Sequence, residues 1–154
     1  MADFFLNSSA IVKRYLNETG TAWIRSILNA SGGNRGFVAR VTGVEVIAAI
    51  TRRKLGGGLA IEDAAAAVSD FRRDLSNEYW ILELSPAVLG RAMDLAEARG
   101  LRGYDAVQLA AAKEDFFLRL ATNMAPLTFV SADQALNTAA NAEGLLVDDP
   151  NAHP

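Results

Sequence analysis

The chain has 154 residues, a net charge of −3 and a hydrophobic fraction of 51%, with a mean hydropathy of +0.12, values that fit one globular domain able to bury a real core. It contains no cysteine, and its one histidine is His153, next to the last residue. This excludes disulfides, zinc–thiolate sites and thiol catalysis, and sets aside any His-dependent triad. The acidic balance argues against nonspecific coating of nucleic acid. Residues 1–54, however, carry eight Lys/Arg against three acids, whereas the last hundred carry seven against fifteen.

Short apolar runs alternate with longer helical patterns along the chain. Strands are expected at Asp3–Leu6, Gly36–Arg40, Tyr79–Leu84, Leu127–Ser131 and Leu145–Val147. The spacing predicts helices at 9–17, 20–31, 42–54, 61–77, 86–99, 105–122 and 133–143. Ser85-Pro86 opens one of them and Gly100 closes it, while Gly56-Gly57-Gly58 and Gly144 close two others, as N-caps, N1 prolines and C-terminal glycines do. Strands separated by helices imply an α/β fold with a parallel sheet covered on both faces. A single domain over 1–150 is expected, followed by a short polar tail at 151–154. No apolar run reaches the ~20 residues of a membrane helix. The first strand follows Met1 almost directly, leaving no room for a signal peptide, so a cytoplasmic location is expected.

Four polar residues fall at strand ends or helix starts: Asn7, Glu45, Asp105 and Asp133. In an open parallel sheet ligands bind beyond the carboxyl ends of the strands, and all four positions fall on that edge. Converging acids raise one another's pKa, and Mg²⁺ or Mn²⁺ offsets such repulsion with hard oxygen coordination. The chemistry that follows is metal-assisted hydrolysis of a phosphodiester, with Asn7 standing where the layout calls for an Asp. Taken singly, each residue also has a capping role. Thr42-x-x-Glu45 fits a capping box, Asn7 and Asp105 fit N-caps, and Asp133 lies within a possible Ser131-x-x-Gln134 box. Lys13, Arg14, Arg40 and Arg102 lie near the same edge as candidate phosphate contacts. The run Arg52-Arg53-Lys54 suits a helix C-terminus without any partner.

These segments resemble the PIN-domain family, and within it the VapC-type toxins of bacterial toxin–antitoxin pairs. Phe5-Leu6-Asn7-Ser8-Ser9-Ala10-Ile11-Val12 is similar to the family's opening motif, where Asp normally precedes Ser-Ser. Val44-Glu45-Val46 resembles its second acidic motif. Leu101-Arg102-Gly103-Tyr104-Asp105-Ala106-Val107-Gln108 resembles the third, and Thr128-Phe129-Val130-Ser131-Ala132-Asp133 the fourth. The resemblance runs from Phe4 to about Asn151. It implies a three-layer α/β/α sandwich with a mainly parallel sheet and an endoribonuclease using Mg²⁺ or Mn²⁺. It also implies a VapB-type antitoxin as partner, RNA as substrate and a homodimer within the toxin–antitoxin complex. An amide at position 7 brings no charge and adds a donor where a metal wants acceptors, so weakened metal binding and impaired cleavage are expected. The competing expectation is a non-catalytic module that sequesters an antitoxin or RNA.

Overall fold

Five parallel strands form one sheet in the computed structural model, which describes every residue from Met1 to Pro154. The strands are β1 (Asp3–Leu6), β2 (Arg35–Ala39), β3 (Trp80–Leu82), β4 (Thr128–Val130) and β5 (Leu146–Asp148). Seven α-helices connect them: α1 (Ser8–Tyr15), α2 (Thr21–Ile27), α3 (Thr42–Leu55), α4 (Ile61–Asn77), α5 (Pro86–Arg99), α6 (Gly103–Ala121) and α7 (Gln134–Ala142). The sheet order is β3-β2-β1-β4-β5, and every pairing is parallel. Strand order therefore reverses beside β1, where such sheets open a crevice beyond the strand ends.

Because successive side chains on a strand face opposite ways, β1 feeds two cores. Phe5 joins Phe37 and Phe129 under α5, α6 and α7. Leu6 joins Val38 and Val130 under α1 through α4. The result is a three-layer sandwich with its apolar weight on both sides of a buried sheet. Phe5 stacks on Phe129 with ring centroids 5.4 Å apart, as the pairing of these two residues across β1 and β4 requires.

The expected helices at 61–77 and 86–99 appear with those bounds. The helix expected over 20–31 ends at Ile27, and a separate 3-10 turn follows at Ala30–Gly32. The strand expected over Tyr79–Leu84 is shorter, Trp80–Leu82. The last residues also pack against the body: Pro150–Ala152 make a 3-10 turn, and His153 stacks on Trp23 at 4.1 Å. Gly20 makes this possible. Its φ is +86°, and a Cβ there would lie 2.4 Å from the Pro150 carbonyl oxygen, so both backbone and space require glycine. No helix is long and apolar enough to cross a membrane.

Candidate active site

Asn7 ends β1 and caps α1. Its backbone N–H donates to Val130 at 3.0 Å, extending the β1–β4 ladder by one rung. Its Oδ1 accepts from the Ser9 amide at 3.0 Å and from Ser9 Oγ at 2.8 Å. A helix cap needs an acceptor, so the oxygen must face Ser9 and the NH₂ must face the other way. That Nδ2 is buried and has no hydrogen-bond partner, in a residue only 2% exposed. An unpaired buried donor is costly. An aspartate at this position would keep the cap and present its second oxygen where the orphaned NH₂ now points.

Ser9 ties the two central loops together. Its Oγ accepts from the Ala132 amide at 3.0 Å and lies 3.4 Å from Ser131 Oγ, which accepts from the Asp133 amide at 3.1 Å. The possible Ser131-x-x-Gln134 box does not form; Asp133 itself caps α7, accepting from the Leu136 amide at 3.0 Å.

Glu45 does not form the expected capping box. The cap residue of α3 is Val41, with no side-chain cap. Thr42 Oγ1 donates instead to Gln108 at 3.3 Å, and the Glu45 carboxylate accepts from Gln108 Nε2 at 2.5 Å and Ser8 Oγ at 3.2 Å. Burial pushes the Glu45 carboxyl above its ordinary range and the Asp105 charge pushes the same way, while Gln108, Ser8 and Arg52 restrain the shift. Asp105 is not an N-cap either. The cap of α6 is Arg102, and Asp105 lies in the first turn, where its carboxylate makes no hydrogen bond within the chain. Burial raises its pKa, Asp133 raises it further, and Arg102 opposes both. The three acids thus stand in an electrostatic chain, Glu45 feeling Asp105 and Asp105 feeling Asp133.

A cleft of about 900 Å³ opens over this chain, lined by Ser8, Lys13, Glu45, Arg52, Arg102 and Asp105 among others. Asn7 and Asp133 do not line it, although their neighbours Ser8, Ser9 and Ala132 do. Lys13 and Arg102 reach the cleft, but Arg14 and Arg40 do not. Position 14 is a helical step away from Lys13, and Arg14 donates to Tyr79 at 3.0 Å and to Glu78 at 2.6 Å. Arg40 is exposed and paired with Glu83. The sequence reading missed Arg52 and Arg53 as cleft residues. Glu45, Ala48, Ala49 and Arg52 share one face of α3 by helical spacing, a signal that was available. Gln108, one turn after Asp105 on α6, was missed as well.

The donor chemistry fits a hard divalent cation at Glu45, Asp105 and Asp133, whose oxygens are acceptors under mutual repulsion. It departs from that fit at Asn7, whose free group is a donor. As they stand, Glu45, Asp105 and Asp133 are not drawn into a closed metal site: no three Asp, Glu or His side chains are close enough together to hold an ion, and Asp133 lies outside the cleft that Glu45 and Asp105 line.

Comparison with known proteins agrees with this architecture. The chain is 29% identical to Ribonuclease VapC45 of Mycobacterium tuberculosis over 154 residues, 97% of each chain. In fold it is similar to PAE2754 from Pyrobaculum aerophilum (TM-score 0.64, 18% identity, 98% of this chain and 85% of that one). It is also similar to VapBC2 from Rickettsia felis, solved bound to a DNA fragment from their promoter (TM-score 0.59, 14% identity, 96% and 98%). The PIN domain family model matches residues 4–140, nearly the whole chain, and the protein belongs to the PIN-domain family.

Proposed function

We propose that this chain is the toxin of a type II toxin–antitoxin pair, an endoribonuclease dependent on Mg²⁺ or Mn²⁺ whose activity is impaired by Asn7. The observation that carries this reading is the pair Glu45 and Asp105, both half-buried, both with raised proton affinity and neither ion-paired, in a cleft that also holds cations. When bound, a divalent cation supplies positive charge against that repulsion and Lewis acidity for attack of water on a phosphodiester.

Glu45, Asp105 and Asp133 would hold the ion. Ser8 and Gln108 each donate to one oxygen of Glu45 and fix its carboxylate plane, a supporting role that tunes ligand geometry. Asn7 is the weak member, because its only acceptor oxygen is committed to Ser9. Lys13 and Arg102, which line the same cleft, would receive phosphates of the RNA. A VapB-type antitoxin is the proposed partner and a homodimer within their complex the proposed assembly. The resemblance to Ribonuclease VapC45 and the fold shared with VapBC2 support the partner.

The orphaned Asn7 amide favours one other reading, a module that binds RNA or an antitoxin without cutting. Cleavage of a mixed RNA substrate by the parent chain and by Asn7→Asp, in Mn²⁺ and in chelator, separates the two. The nuclease reading expects Asn7→Asp to cut at least about 100-fold faster, more than supporting residues around a metal usually contribute, with all activity lost in chelator. A folded Asn7→Asp that cuts nothing leaves the binding module.

A further inference from the structure

The cleft has a second charged end, and an acid of the chain itself already occupies it. Lys13 is 5% exposed, and its ammonium has one hydrogen-bond acceptor, the Thr19 carbonyl at 2.8 Å. The nearest carboxylate oxygen, on Glu18, is 3.9 Å away. An ammonium has three donors, and leaving two unmet in a buried position is unfavourable. Glu18 gives both its oxygens to Arg53, at 3.2 and 3.3 Å. This is the two-pronged geometry that a guanidinium also makes with phosphate. Lys13, Glu18 and Arg53 line the same cleft as Glu45 and Asp105, and so do Arg52 and Arg102.

We propose that Lys13 and Arg53 form a phosphate subsite for single-stranded RNA and that Glu18 is its internal occupant, which the RNA backbone displaces on binding. This rests on the reading of the cleft as an RNA site. A phosphodiester suits the place better than a lone carboxylate ligand, because Arg52 and Arg102 offer cations to neighbouring phosphates along the same cleft. Glu18 holds the subsite in order when it is empty and lowers its affinity for RNA.

The test is fluorescence anisotropy with a short fluorescein-labelled oligouridylate, in chelator so that nothing is cut. Glu18→Gln should bind about fivefold more tightly than the parent, the change expected from removing an ion pair of ~1 kcal/mol. Its log–log salt dependence should steepen by about 0.7, one more phosphate neutralised on a single strand. Arg53→Ala in the Glu18→Gln background should take back both gains. Unchanged affinity in Glu18→Gln, or a gain that survives Arg53→Ala, overturns the proposal, as does an equal gain for an oligoglutamate probe. If Glu18→Gln fails to fold, Glu18→Asp, too short to span both cations, should show a smaller gain, and no gain there also overturns it. The outcome is separable from RNA cutting by Asn7→Asp. Tighter binding without cutting leaves the subsite and removes the nuclease, and the reverse leaves the nuclease and removes the subsite.

Discussion

The two ends of β1 treat acidic chemistry in opposite ways. At its start, Asp3 accepts two hydrogen bonds from Arg35, at 2.7 and 2.6 Å, and another from Arg119. The Arg35 hydrogen bond holds its carboxyl below the usual range against the pull of burial, and Arg119 adds to the effect. Arg119 in turn pairs with Asp115 and lies 4.8 Å from the Phe37 ring centroid. At the other end, Glu45 and Asp105 are half-buried, repelled by neighbours and unpaired, beside an amide whose NH₂ has no partner. One fold can evidently neutralise its buried acids when their role is structural. Acids left unbalanced at the opposite edge are what the proposed function assigns to a ligand from outside.

The largest effect should come from breaking the finished end. Arg119→Met strands Asp3 and Asp115 and should cost about 2–4 kcal/mol in denaturant unfolding, less than a wholly unpaired buried charge because Arg35 remains. A loss below ~0.5 kcal/mol would erase the contrast between the two ends. At the other edge, Asp133→Ala removes an α7 cap and should cost about 1 kcal/mol, a mixed result for a residue that both caps and faces the acids. Asp105→Asn should cost nothing or raise metal-free stability by up to ~1 kcal/mol at neutral pH, since it removes repulsion without removing a hydrogen bond. A clear destabilisation would show that Asp105 is structural after all.

The smallest effect is in pH dependence, and its sign differs between the ends. Glu45 and Asp105 hold protons more tightly folded than unfolded. The stability they contribute is present below their unfolded values, near 4.5 and 3.8, and is lost as pH rises through the raised folded values. Asp3 does the reverse: its contribution is present above about 3.8 and is lost as pH falls through its lowered folded value. Thermal melts of metal-free protein across the acidic range should therefore show a loss of stability as pH rises above about 3.8, which Asp105→Asn flattens. An unchanged slope in that variant would assign it to other groups.

Much of this was legible in the chain. Phe4-Phe5-Leu6 and Phe37-Val38 read as buried strands because a parallel sheet covered on both faces needs continuous apolar runs. Asn7 read as a cap because capping is local, although the same logic put the α7 cap at Ser131, two residues before the Asp133 that forms it. For Glu45 the local alternative failed: Thr42 offered a partner three residues away, whereas Ser8 and Gln108, 37 and 63 residues distant in sequence, captured its oxygens. Lys13 and Arg14 looked interchangeable, and only packing sent one into the cleft and the other to Tyr79 and Glu78. The Glu18–Arg53 pair joins a loop to a helix end, and no spacing rule connects them.

The unbalanced edge is tested most directly by titrating Mn²⁺ calorimetrically into chelator-stripped parent, Asn7→Asp, and Asn7→Asp with Asp105→Asn. Asn7→Asp should bind one ion at least about tenfold more tightly than the parent, in line with the weight of groups that tune a metal site, and Asp105→Asn should abolish the gain. Equal affinity in parent and Asn7→Asp, indifferent to Asp105, would contradict the assignment of these four residues to one metal site.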